Sequence, residues 1–113
     1  MLPATSPLFL EDAAQPWENL GHGVRRKVLT YSPQLMLVKV EFEAGSIGAT
    51  HQHPHEQISY VESGVFAYTI GAETRVLRSG DSCVVPGDTL HGVVCFEAGA
   101  LLDSFTPARQ DFL

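Results

Sequence analysis

Between Thr50 and Gly64 the chain reads THQHPHEQISYVESG, with histidines at three alternate positions, His51, His53 and His55. Residues two apart on an extended strand point to the same side, so His51 and His53 are expected to project together as a chelating pair. Pro54 has no N–H to give a strand ladder, and a bend there is expected to turn His55 aside. On a straight strand His55 would join the pair. A further histidine, His91, opens a second apolar run, HGVVCF. Imidazole is the commonest metal ligand near neutral pH. Three imidazoles and one oxygen drawn from different strands would make an open site for a divalent first-row metal. A single histidine would read as polar surface; a His-x-His pair with a third imidazole elsewhere reads as a metal site.

Gln57 stands where such a site would ordinarily use a carboxylate. Its carbonyl oxygen can coordinate without adding charge, so an ion held by three histidines and one glutamine keeps its full double charge. That favours attracting and polarising an anionic ligand over stabilising a higher metal oxidation state, and argues against redox dioxygen chemistry. The alternative is that Gln57 only hydrogen-bonds in the interior and the site has three histidines. Glu56 has the opposite strand parity and is the weaker candidate.

A second source of chemistry lies in LLDSFTPAR, residues 101–109. On a strand Leu101, Asp103 and Phe105 share one face, Leu102 and Ser104 the other. A carboxyl between Leu and Phe on a buried face would have a shifted pKa, raised by burial or lowered by a nearby cation, and would be a candidate proton carrier. Equally, the other face could be the core, leaving Asp103 exposed. Arg109 follows Pro107, and its planar fork suits a carboxylate; its alternative is a surface ion pair with Asp111 or Glu97.

The elements that must carry these residues are strands. Period-two alternation dominates, as in LMLVKVEF, where Met36, Val38, Val40 and Phe42 share one face. Similar runs cover residues 24–31, 57–63, 65–70, 74–78, 82–86, 91–96 and 101–106, divided by turn signals such as ESG, RSGD, PGD and EAGA. Many short strands at this spacing predict an all-β sandwich or small barrel. No convincing amphipathic helix is present; LEDAAQPWENL is broken by Pro16. Phe42, Phe66, Tyr60, Tyr68 and Phe96 are expected as core filler, Cys95 as a small buried residue and His22 as exposed.

With 113 residues, 44% hydrophobic and 18% charged, the chain suits one soluble domain. The first sixteen residues are expected to form an arm. The net charge is −6 and the seven Lys and Arg are scattered, which argues against nucleic-acid or anionic-membrane partners. No apolar run approaches the ~20 residues of a membrane helix. Cys83 and Cys95 form neither a disulfide framework nor a CxxC pair. Pro3, Pro7, Glu11 and Asp12 interrupt any leader-like segment. The expected compartment is reducing cytoplasm, and a homodimer is the expected assembly, since an open edge of a small barrel would invite pairing.

The spacing Gly45, His51, His53, Gln57, Gly64, followed by Gly80, Pro86, His91, resembles the two motifs of the cupin superfamily. Gln57 replaces that pattern's usual Glu, Asp88 its usual Gly, and Cys95 a frequent Asn. Within the superfamily, HPHEQISYVESG, PGDTLHGVVC, WENLGHGVRRKVLTYSPQLMLVKVEFEAGSIG and LLDSFTPARQDFL are similar to the KdgF-type pectin-degradation cupins, from about Trp17 to Leu113. The resemblance implies a small double-stranded β-helix, the cupin jelly-roll barrel, as a single domain over residues 1–113. It implies one divalent metal (nickel, zinc, iron or manganese) on His51, His53, Gln57 and His91. Asp103, Phe105 and Arg109 match residues used at the active site of those proteins, which convert unsaturated monouronates to linear 5-keto-4-deoxyuronate. The implied partner is thus a small anionic sugar. Rival readings are another metal-dependent cupin enzyme, a dioxygenase or sugar isomerase, and a non-catalytic sugar-binding cupin.

Overall fold

A computed structural model of the chain describes residues 5–113. Among the described residues eight strands follow in order: β1 (Glu18–Gly21), β2 (Val24–Tyr31), β3 (Met36–Phe42), β4 (Ile47–His51), β5 (Glu56–Ile70), β6 (Glu73–Arg78), β7 (Ser82–Val85) and β8 (His91–Thr106). Short 3-10 turns lie at Asp12–Ala14 and Gln110–Phe112. Among the described residues no helix is long and apolar enough to cross a membrane.

The two longest strands join runs that the turn signals ESG and EAGA divide in the sequence. Gly64 interrupts β5 without ending it. Its φ is +86°, and a Cβ there would stand 2.6 Å from the Glu97 carbonyl oxygen and 2.8 Å from Gly99 Cα. Gly99, opposite, has the Ser63 carbonyl against its own missing side chain. The register slips between Val61 and Phe66, as expected where glycines let a strand bulge and bend. The bend gives each strand two sets of partners. The first half of β5 pairs with β7 and the end of β8; its second half pairs with β6 and the start of β8.

β1 and β4 lie outside the runs legible as strands. The β1–β2 hairpin turns on Gly21, His22 and Gly23, all at positive φ, and Asn19 accepts a hydrogen bond from the Gly21 amide. In β4, IGATH has little intrinsic strand preference. Its pairing with β8, Ile47 to Val94 and His51 to His91, holds it extended.

The expected closed barrel is not what forms. The ladder runs β1-β2-β3-β8-β5-β6, with β4 attached to β8 and β7 to β5. β1 and β6, the two ends, do not pair with each other, so the sheet is open. The physical reason is the branching: β5 and β8 spend their edges on several short partners, and the terminal strands are exposed and charged. β6 carries Glu73, Arg75 and Arg78, edge chemistry that resists further pairing.

Two clusters form the core. Phe42 and Phe66 meet edge to face at 5.2 Å among Val24, Val61, Val85 and Leu101. Met36, Val38, Phe105 and Ala108 form the second. Cys95 is fully buried and His22 exposed, as expected, but Tyr60 and Phe96 face outward and are not core filler. Of the expected arm, residues 1–4 lie outside the described residues. The rest runs along its own chain. The Ser6 amide donates to the Tyr31 carbonyl at 2.9 Å, and Asp12 bridges Lys27 and Lys39.

Candidate metal centre

The β4–β8 register sets His51 directly opposite His91. His53 lies in the connection to β5 rather than on a strand, and the chain bends at Pro54 and His55. The ring centroids of His51 and His91 are 4.3 Å apart, those of His53 and His91 4.9 Å. One ligand atom from each of the three rings falls within 4.8 Å of the others. Each Nδ1 meets a backbone carbonyl: His51 that of Ala49 at 2.8 Å, His53 that of His55 at 3.0 Å, and His91 that of Thr89 at 2.8 Å. A carbonyl only accepts, so Nδ1 carries the proton, and in a neutral ring Nε2 is left as a lone pair. Backbone carbonyls orient metal-binding imidazoles in this way.

The donor chemistry fits a cation. Burial lowers the pKa of His53 and of His91, and the Arg109 charge lowers that of His53 further. Both shifts favour the neutral, metal-binding form of the His53 and His91 rings. His91 Nε2 is buried with no hydrogen-bond partner among the described residues. His53 Nε2 and Gln57 Oε1 stand 3.1 Å apart. The amide's other end donates to Ser59 Oγ at 3.1 Å and to the Tyr68 hydroxyl at 3.3 Å, which turns Oε1 toward His53. Two acceptors facing each other without a proton call for a positive charge. The three histidines are capable of coordinating a divalent metal ion.

Strand parity and register bring the second group in. Gln57, Ser59 and Val61 are the buried residues of the alternating first half of β5; Leu101, Asp103 and Phe105 alternate as buried residues at the end of β8. Ser59 pairs across the ladder with Asp103 and donates to its Oδ1 at 2.6 Å. Asp103 is thus buried, 8% exposed, on the same face as Leu101 and Phe105. Burial pushes its carboxyl up to about 6, against the downward pull of Ser59, Gln57 and Arg109. Phe105 meets the His53 ring edge-on at 5.7 Å.

Arg109 is buried, with its guanidinium over the rings of Phe105 and Phe112 at 5.1 and 4.2 Å. Both readings of this residue meet in one place. It lines the cavity, and it also pairs with Asp111, Nε to Oδ1 at 3.0 Å and Nη2 to Oδ2 at 2.8 Å. A cavity of about 320 Å³ is bounded by His51, Gln57, His91, Asp103, Phe105 and Arg109, within the range of small-molecule sites. A larger polar cleft by the β1–β2 hairpin contains His22 and several glutamates, but no cluster like the three histidines. Glu56 is exposed; His55 leaves Nδ1 buried and unpartnered among the described residues.

The sequence does not single out Ser59 or Phe112, and it reads Tyr68 as filler. Ser59 shares the strand parity of Gln57, which is a legible signal. The Tyr68 hydroxyl, bonded to Ser59 at 2.8 Å, could be found only from the packing.

The comparisons with known proteins agree with this geometry. A model of the cupin domain matches residues 38–101. A pectin degradation protein, KdgF, of Dickeya dadantii (strain 3937) is 46% identical over 107 residues, covering 93% of this chain and 96% of that protein. Among solved structures, an RmlC-like cupin from Shewanella frigidimarina superposes with a TM-score of 0.95 at 39% identity, over 98% of this chain and 100% of that one. KdgF from Halomonas sp. superposes with a TM-score of 0.89 at 38% identity, over 93% and 99%.

Proposed function

From a chain that belongs to the cupin family and is closely related to the KdgF-type pectin-degradation cupins, we propose conversion of 4,5-unsaturated monouronates to linear 5-keto-4-deoxyuronate. The observation that carries the reading is the buried Asp103 carboxyl sharing one cavity with His51, His91 and the Arg109 guanidinium, with His53 completing the metal-competent trio beside them. His51, His53, Gln57 and His91 would hold the ion, which when bound supplies an uncompensated positive charge and Lewis acidity toward an anionic sugar.

Arg109 anchors the sugar carboxylate through the side of its guanidinium that Asp111 leaves open. Asp103 handles the protons. In the overall change the bond from the anomeric carbon to the ring oxygen breaks, and the ring oxygen becomes the ketone oxygen. The anomeric hydroxyl loses a proton as the aldehyde forms, and C4 gains one. No atom is added or lost, so one carboxylate able to take and return a proton meets the need. Its raised pKa suits that task near neutrality. Ser59 holds the carboxyl in place, and Phe105 keeps the wall apolar beside His53. The reading includes a homodimer, supported by the outward apolar side chains Ile58, Tyr60 and Val84.

The test is the ultraviolet absorbance of fresh, lyase-produced unsaturated monouronate. Metal-loaded protein is expected to hasten its loss, and a chelator to abolish the effect. Absorbance that decays at the uncatalysed rate with nickel-, zinc-, iron- and manganese-loaded protein alike would overturn the reading.

A further inference from the structure

On β2 the alternation that buries Val24 and packs Val28 against the second core cluster puts Arg26 on the same inward face between them. A guanidinium there needs a reason, as Asp103 does on β8. Arg26 bounds the cavity that holds His51, His91, Asp103 and Arg109. Its guanidinium carbon lies 3.8 Å from the centroid of the Phe112 ring, against which Arg109 rests at 4.2 Å. Two guanidiniums on one ring lie within the span of a single sugar.

Their partners differ in kind. Arg109 presents Nε and Nη2 to Asp111 in two well-formed bonds, and its side chain is 11% exposed. That edge is occupied, leaving Nη1 without a hydrogen bond among the described residues. Arg26 pairs with Glu18 less well, Nε to Oε2 at 3.1 Å and Nη2 to Oε1 at 3.5 Å. Glu18 is 57% exposed and Arg26 20%. An ion pair so wet and loosely formed holds weakly and can give way to ligand oxygens. One guanidinium is fixed in the wall; the other has an exchangeable partner.

We infer that Arg26 is a second ligand-binding residue, which shares the carboxylate of a sugar acid with Arg109 and releases Glu18 when the ligand enters. The inference rests on the sugar-acid reading above. Glu18 acts as an internal stand-in for the ligand carboxylate and competes with it.

The experiment is calorimetric titration of the nickel-loaded full chain with D-galacturonate, a saturated uronate, and with D-galactose as the uncharged control. Arg26→Gln is expected to weaken galacturonate binding ~10-fold, with nickel content and weak galactose binding unchanged. Glu18→Gln is expected to tighten galacturonate binding roughly threefold by removing the competitor, an effect that a purely structural ion pair would not produce. Because Glu18 is exposed, this variant keeps the test open should Arg26→Gln fold poorly. The inference alone is overturned if Arg109→Gln weakens binding while Arg26→Gln stays within about twofold of the parent, or if Glu18→Gln weakens binding. A parent protein that takes up no galacturonate overturns the sugar-acid reading together with this inference.

Discussion

Asp103 shows how one residue couples stability to function. Its folded-state pKa, about 6, lies above the ordinary carboxyl value of 3.8 because burial opposes its charge. Between those values the folded chain keeps a proton that the unfolded chain has shed. Without metal, stability from this group is therefore fully present below pH ~4 and is lost as pH rises through ~6, by an amount on the order of 3 kcal/mol. Asp103→Asn removes the titration. The metal-free variant is expected to melt above the parent at pH 8, with the gap closing near pH 4 in paired thermal scans. The same change removes the proton carrier and is expected to lower turnover of unsaturated monouronate by ~10²–10⁴-fold. A variant that turns over normally, or melts lower at pH 8, would refute the assignment. Gln57 was legible as an uncharged oxygen donor. Of what holds its amide, Ser59, two positions on, shares its strand parity, whereas Tyr68, eleven positions away, meets it only through the bend of the strand.

The elements that matter most are β5 and β8, and the feature that shapes them is the crossing at Gly64 and Gly99. Turn-like residues there read as strand ends. Their actual use is a close approach of backbones, with the Glu97 and Ser63 carbonyls where side chains would stand. Gly64→Ala must displace backbone rather than a flexible side chain, and is expected to cost roughly 3 kcal/mol, read as a lower urea midpoint at unchanged slope. Gly45→Ala serves as control. It shares a positive φ, +85°, but nothing lies within 4 Å of its added Cβ. If both variants lose the same stability, the cost belongs to φ and not to the crossing. The short strand β4 makes a related point: its residues have little strand preference, yet its ladder with β8 puts His51 opposite His91.

For the whole molecule, the open sheet leaves an outer face unaccounted for by its own core. Ile58 pairs with Val84 and Tyr60 with Leu102 across the ladders, and Ile58, Tyr60 and Val84 are all exposed. A contiguous apolar face on a chain with net charge −6 is the kind that self-association covers. The chain is expected to sediment as a dimer, and Val84→Glu as a monomer that still binds nickel. Sedimentation of the parent as a monomer at micromolar concentration would refute this. The assembly lies beyond local pattern because exposure of these strand residues depends on which face the sheet turns inward.

Residue types, parity and spacing were enough to pick out the imidazole cluster, the amide oxygen beside it and the strand-rich architecture, since each follows from local chemistry and a period of two; they left open which face of β8 turns inward, and so whether Asp103 is buried. Tertiary structure alone decided that the sheet stays open, that runs read as separate strands are continuous through two glycines, and that Arg109 enters the cavity already paired with Asp111. It alone brought Tyr68, Arg26 and Phe112 to the site. The reason is that these facts depend on cross-strand register and on how a bent ladder stacks on itself, which join residues too far apart in the chain for any local pattern to encode.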